Sequence, residues 1–141
     1  MTLLTTIKRS LSLIIPLLFI PLPALCSDYR VINTTHFTFY FEAQNEKLIR
    51  PIINRSEELR EEIVKDLGIE FEEKTEIYLA SSMKKYRELQ PSWKVPDWSI
   101  GVAYPALNKI IIQTPKAYRN TFIDLKKVFK HEFTHIALGK A

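Results

Sequence analysis

Two histidines four residues apart, with a glutamate directly after the first, are the residues of this sequence best suited to chemistry. They lie in the segment His131-Glu132-Phe133-Thr134-His135. On an α-helix, residues four apart differ by about 40° around the axis and lie one turn apart, so both imidazoles can reach one ion. Neutral imidazole nitrogens are zinc ligands, and a catalytic zinc keeps one position open for water. The spacing therefore predicts a Zn²⁺ site with His131 and His135 as metal ligands.

Glu132 differs from His131 by about 100° around the same helix. This displacement makes the carboxylate less suited to bind the same ion and better suited to lie beside the water that the ion would hold. A carboxylate in that place acts as general base and then delivers the proton to the leaving amine. We therefore expect Glu132 to be the catalytic residue of a metallopeptidase, which hydrolyses peptide bonds of a peptide or protein substrate through a Glu-activated, zinc-bound water.

The motif supplies two ligands, whereas a catalytic zinc site uses three protein ligands. In the metzincin pattern HExxHxxGxxH, the last two defined positions would be Gly and His, but here they are Leu138 and Ala141. The metzincin class is therefore excluded. His36 is the only other histidine, and its place beside alternating aromatics favours a polar residue at a strand edge. We expect the third ligand to lie beyond the given sequence or to be absent.

Other polar and aromatic residues are expected to have structural roles. Tyr104 is predicted to be a core or rim residue rather than an oxyanion donor, and Trp93 and Trp98 are predicted to pack a loop. Four glutamates are expected to be solvated charges rather than ligands, namely Glu42, Glu70, Glu72 and Glu73.

The elements that must position the motif follow from hydrophobic periodicity. Strands are predicted at residues 35–42, 75–80, 100–104 and 109–113, and the last two would form a hairpin. A long helix is predicted at 46–67, begun or kinked at Pro51 and stopped at Gly68. A short helix follows at 82–90, residues 91–97 and 114–120 are connections, and the final helix runs from residue 122 or 125 to Leu138. This order predicts an α+β fold in which a twisted mixed β-sheet packs helices on one face.

The composition is that of a globular domain. The chain has 141 residues, of which 46% are hydrophobic, and a formal net charge of +4 from 20 basic and 16 acidic residues. Lys8 and Arg9 contribute two of those positive charges, and the remaining charges of both signs are interleaved along the chain. Interleaved charges are typical of a solvated helix face, whereas a nucleic-acid surface needs clustered basic residues. We therefore expect no nucleic-acid partner.

Residues 1–26 are predicted to be a signal peptide, which leaves 27–141 as the mature domain. Lys8 and Arg9 precede an apolar run at 11–25 that prolines interrupt, and this run is shorter than the about 20 apolar residues of a membrane-spanning helix. Ala24 and Cys26 are small residues at the two positions that signal peptidase reads. We expect an exported protein, periplasmic or extracellular, without stable membrane insertion. The alternative is a membrane anchor formed by the uncleaved N-terminus.

From about residue 35 onward, the sequence resembles the peptidase-MA-like gluzincin families of bacteria. The resemblance implies a zincin-like N-terminal subdomain, incomplete at the C-terminus, because gluzincins take their third ligand, usually Glu, from a later helix. It also implies that an extended peptide substrate pairs with the edge strand beside the cleft, either 100–104 or 109–113. The segments that carry it are 36–41, the helix ending at Leu67-Gly68, 77–79, 98–103, 109–112 and the motif at 131–135.

A second function class stays open beside the peptidase. The given sequence ends six residues after His135, so the alternative is a truncated or degenerate gluzincin-fold protein without catalysis. Such a protein would act as a binding module or have no independent function.

Overall fold

The computed structural model describes residues 29–91, 95–96, 98–119 and 122–141. Its strands are β1 (Tyr29–Asn33), β2 (Phe37–Glu42), β3 (Thr75–Ala80), β4 (Gly101–Tyr104) and β5 (Lys109–Gln113). They form one sheet in the order β1-β2-β3-β5-β4. The β2–β3 and β3–β5 pairs are parallel, whereas β1–β2 and β4–β5 are antiparallel. The predicted mixed sheet of an α+β fold is therefore confirmed, and β4 is one of its edges.

The helices lie on both faces of this sheet, so the prediction of a single covered face was wrong. They are α1 (Glu46–Ile53), α2 (Ser56–Leu67), α3 (Met83–Leu89), α4 (Pro115–Tyr118) and α5 (Leu125–Leu138). Helices α1, α2 and α5 share the main core with residues such as Phe37 and Ile110. Helix α3 covers the opposite face, where Tyr86 packs with Ile111 and Tyr104 in a second cluster. Successive residues of a strand point to opposite faces, so Ile110 of β5 lies in the main core and Ile111 lies in the second cluster.

Three further elements differ from the sequence prediction. Strand β1 was not predicted, because only Ile32 of this strand packs against the main core and its ladder depends on pairing with β2. Helix α4 replaces a predicted connection, since Pro115 opens it and the Thr114 hydroxyl accepts a hydrogen bond from the Ala117 N–H. The predicted long helix is two helices. It continues through Pro51 and breaks after Ile53, rather than beginning or kinking at the proline.

The break between α1 and α2 has a local cause. Pro51 has no N–H to donate to the preceding turn, which weakens α1 shortly before its end. The Ser56 hydroxyl then donates to the Ile53 carbonyl at 2.9 Å, so the last turn of α1 is capped by the first residue of α2. Gly68 ends α2 in the left-handed region at φ 63°, as predicted for a helix stop.

Aromatic packing fixes α5 against the sheet. The Phe37 ring of β2 lies edge-on to Phe129 at 5.5 Å and to Phe133 at 5.2 Å between ring centroids. All three side chains are fully buried. Edge-to-face aromatic pairs contribute about 0.5–1.5 kcal/mol each beyond their area burial. The helix that carries the histidine motif is thus held by its apolar stripe, and its other face stays accessible.

The N-terminal predictions fall outside this description. The signal peptide at 1–26, with Cys26, precedes the first described residue. Within the part of the chain that the structure describes, no helix has both the length and the apolar character needed to cross a membrane.

Candidate metal centre

Helix α5 begins at a well-formed cap. The Asp124 side chain accepts hydrogen bonds from the backbone N–H groups of Lys126 and Lys127 at 3.1 and 3.2 Å. A carboxylate at this position satisfies donors that the helix itself leaves unpaired. The cap places the first helical residue at Leu125, the later of the two predicted starts, and so sets which residues of the motif face the sheet.

His131 and His135 lie together on the exposed side of α5. Their Nε2 atoms are 3.2 Å apart, with the ring centroids 4.8 Å apart and the ring planes at 88°. Two nitrogens bound tetrahedrally at about 2.0–2.1 Å from one zinc lie about 3.3–3.4 Å from each other. The observed separation therefore fits an ion held by both Nε2 atoms.

The residues that the structure describes add no third ligand to this pair. Among the described residues, no cluster of three or more His, Cys, Asp or Glu side chains has a geometry that holds a metal. His36 lies directly before β2, with its Nδ1 2.6 Å from Glu57 and its Nε2 3.5 Å from Glu72. Its role as a polar residue at a strand end agrees with the sequence prediction, and it lies apart from the α5 pair.

Glu132 points from α5 toward the sheet edge, where it is only 8% exposed. Burial raises the pKa of its carboxyl, while the nearby His131 and His135 and the backbone N–H of Ala103 lower it by smaller amounts. The position depends on Gly101, because a Cβ built there would lie 2.8 Å from the Glu132 Cγ and Oε1. The glutamate is therefore held in a partly desolvated place between the helix and β4.

Among the described residues, β4 pairs with β5 on one side only, so it forms a sheet edge beside this glutamate. The Gln113 N–H donates to the Ile100 carbonyl at 2.8 Å, and Gly101 and Ala103 stand opposite Ile112 and Ile110. Because hydrogen-bonded and non-hydrogen-bonded pairs alternate in an antiparallel ladder, the backbone groups of Gly101 and Ala103 point away from β5. Of the two strands that the resemblance left open, β5 is enclosed by β3 and β4, and β4 is the one at the sheet edge.

A shallow groove adjoins the histidine pair on the same side. It has a volume of about 460 Å³ and is lined by Trp98, Ser99, Ile100, Lys127, Val128 and His131. Trp98 is 75% exposed, so the prediction that it packs a loop was wrong, and Trp93 lies outside the described residues. Tyr104 is buried in the cluster on the opposite face of the sheet, which agrees with its predicted core role.

The predicted site residues His131, Glu132 and His135 lie together on α5. The neighbouring strand is one that the resemblance named, but the individual contacts of Ser99, Gly101 and Ala103 were not predicted. The available signal was Gly101, because a glycine within a strand often marks a place where another part of the protein approaches the backbone closely.

Comparisons with protein-family models, with curated proteins and with solved structures find no match to this chain. The gluzincin resemblance therefore stays a prediction from the sequence.

Proposed function

We propose that this chain carries the catalytic helix of an exported zinc metallopeptidase with a zincin-like domain at 27–141. In this proposal His131 and His135 bind Zn²⁺, and Glu132 is the general base. The observation that carries it is the pair of Nε2 atoms 3.2 Å apart on the exposed side of α5, with a buried glutamate on the adjoining turn.

The chain's own residues would divide the work of hydrolysis. When bound, zinc supplies a Lewis acid that polarises the peptide carbonyl and lowers the pKa of water. Glu132 would accept a proton from the attacking water and pass it to the leaving amine. Its burial against β4 supports this role, because the raised pKa brings the carboxyl nearer to the pH at which it must exchange protons.

The substrate in this proposal is an extended peptide that adds to β4. The outward N–H and C=O groups of Gly101 and Ala103 match the spacing of a new antiparallel strand, and this edge lies beside Glu132. Backbone pairing is independent of side-chain identity, so this edge would provide affinity for many sequences.

A second candidate is a non-catalytic binding module that keeps the peptidase fold. One observation favours it. Two histidines are joined by no third His, Cys, Asp or Glu in the described ranges, whereas a catalytic zinc uses three protein ligands. A module of this kind would still bind extended peptides at β4.

Zinc binding and peptide hydrolysis, measured together, separate the two candidates. We expect a protein that includes the third ligand to bind zinc in equilibrium dialysis and to cleave fluorescein-labelled casein, whereas residues 27–141 alone, with two ligands, should bind zinc weakly and cleave little. Glu132→Gln should keep zinc affinity within about threefold and lower the cleavage rate by about 10²–10⁴, the typical contribution of a general base.

The two assays have distinct outcomes. Zinc binding without cleavage by the wild-type chain would favour the binding module, and equal cleavage by wild type and Glu132→Gln would remove the glutamate from the proposed mechanism. Absence of zinc binding would overturn the metal site.

A further inference from the structure

The outer edge of β4 already carries a side-chain contact from the same chain. Its outward backbone groups include the Gly101 carbonyl and the Ala103 N–H. The Ser99 hydroxyl donates a hydrogen bond to the Gly101 carbonyl. The Glu132 side chain lies against Gly101 on the face covered by α5, where no Cβ keeps it away. An incoming strand therefore meets a capped edge.

Such caps have a clear physical value in a protein that binds strands. Unpaired N–H and C=O groups at a sheet edge are templates for pairing with any other strand, including a second copy of the chain. Side chains that occupy these groups satisfy them in the free protein. They also set a cost for peptide binding, since a peptide must replace these contacts rather than add new ones.

We propose that the Ser99 hydroxyl caps the Gly101 carbonyl of β4 in the free protein and that an extended peptide displaces this hydroxyl when it adds to the edge. Ser99 is a positioning residue in this scheme, because it acts on the edge and touches neither the histidines nor the reacting bond. That the peptide is a substrate rests on the proposed function, whereas the capping does not.

The cap at Ser99 can be removed without disturbing the strand. Ser99 uses its backbone N–H for the Pro96 carbonyl at 3.0 Å and its own carbonyl for the Gln113 side chain at 2.8 Å. Neither contact involves the hydroxyl, so Ser99→Ala leaves both in place. Ser99→Thr retains the hydroxyl and is the matched control.

The test is peptide binding to the whole chain in the presence of a metal chelator. The probe is a fluorescein-labelled peptide of alternating Val and Thr flanked by lysines, measured by fluorescence anisotropy. Its control is the same peptide with alternate backbone nitrogens methylated, which cannot pair along an edge. We expect Ser99→Ala to bind the probe about three- to tenfold more tightly than wild type, the factor of one hydrogen bond, and Ser99→Thr to bind as wild type does.

Amide hydrogen exchange tests where the probe pairs. We expect the Ala103 amide, which points outward from β4, to become protected in wild type and in Ser99→Ala when the probe is bound. In cleavage assays, Ser99→Ala should lower KM by the same three- to tenfold factor while leaving kcat unchanged.

The possible outcomes separate this inference from the proposed function. Equal probe affinity for wild type and Ser99→Ala, or equal binding of the methylated peptide, would overturn the capped edge even if zinc binds. Tighter probe binding by Ser99→Ala without zinc binding would uphold the capped edge and overturn the metallopeptidase. An Ala103 amide that stays unprotected when the probe is bound would overturn peptide pairing at β4.

Discussion

The two histidine environments of this chain differ in what their ring nitrogens meet. The His36 side chain is 18% exposed, and both of its nitrogens lie near carboxylates, Glu57 at 2.6 Å and Glu72 at 3.5 Å. His131 and His135 are exposed, and their Nε2 atoms face each other at 3.2 Å. The contacts of His36 link the start of β2 to α2 and to a loop. In contrast, the Nε2 atoms of His131 and His135 face each other on the exposed side of α5.

This difference shows that the role of a histidine is indicated by the groups its ring nitrogens contact. Both ring nitrogens of His36 already face carboxylates, so His36 is a structural link between β2, α2 and a loop. Two facing Nε2 atoms can share one proton as a hydrogen bond, or they can both donate lone pairs to one metal. The α5 pair is therefore the candidate ligand set, and four predictions can break or sharpen the contrast, of which the Glu132→Gln test above is the one with the largest effect.

The next largest effect is expected from removing a ligand. We expect His131→Ala and His135→Ala each to weaken zinc binding by at least about a hundredfold, since loss of a residue that only orients a ligand already costs about 10–100-fold. Equilibrium dialysis with zinc measures the change. His36→Ala is the matched control and should leave zinc affinity unchanged. Comparable weakening by His36→Ala would mean that the contrast between the two environments is mistaken.

Much of this architecture was predictable because local pattern and tertiary packing agree. The final helix has an apolar stripe, and its buried residues include Phe129 and Phe133 of that stripe, with Glu132 as the one buried charged residue among them. The hairpin of β4 and β5 was likewise predictable, since two short apolar runs flank Pro105 and a turn in which Asn108 adopts φ 46°. In both cases, residues close together in the sequence determine the element that forms.

The edge around Glu132 was not predictable from the same patterns. The outward direction of the Gly101 and Ala103 backbone groups depends on the register with β5, and the approach of Glu132 depends on how α5 crosses the sheet. Neither is a local property of the sequence. The covering of both sheet faces was missed for a related reason, since α3 is short and only its packing through Tyr86 shows which face it occupies.

A smaller effect is expected when the approach of Glu132 to the edge is blocked. Gly101→Ala would bring a Cβ to 2.8 Å from the Glu132 side chain and 2.9 Å from Val128 Cγ1, so the glutamate must move. We expect cleavage to fall by roughly tenfold with zinc affinity unchanged, because a small misplacement of a catalytic group lowers the rate without removing the ligands.

The double variant shows whether Gly101 acts through Glu132. Gly101→Ala should have little further effect on cleavage in a Glu132→Gln background, since residues that act as one unit are not additive. Independent losses in the two variants would mean that the alanine disturbs peptide binding instead of the base.

The smallest effect is expected at the His36 link, and it depends on pH. Burial raises the pKa of Glu57, but hydrogen bonds from the Thr34 hydroxyl and from the His36 N–H and imidazole lower it further than burial raises it, so the net shift is downward. A carboxyl with a depressed folded-state pKa stabilises the fold above its unfolded pKa of about 4.3, and this stability is lost as pH falls through the folded value. We expect Glu57→Gln to lower the free energy of unfolding by about 1–2 kcal/mol at neutral pH, as for loss of a charged hydrogen-bond acceptor.

Urea denaturation at neutral and acidic pH measures this change. The difference between wild type and Glu57→Gln should shrink once the pH falls below the unfolded pKa, because the wild-type carboxyl is then protonated as well. Glu61→Gln, on the same helix and exposed to solvent, is the control for the substitution itself. A constant difference across this pH range would show that Glu57 stabilises the fold by packing and not by its charge. Zinc affinity should be the same in all three proteins, since the link at His36 contributes to folding and the pair on α5 contributes the ligands.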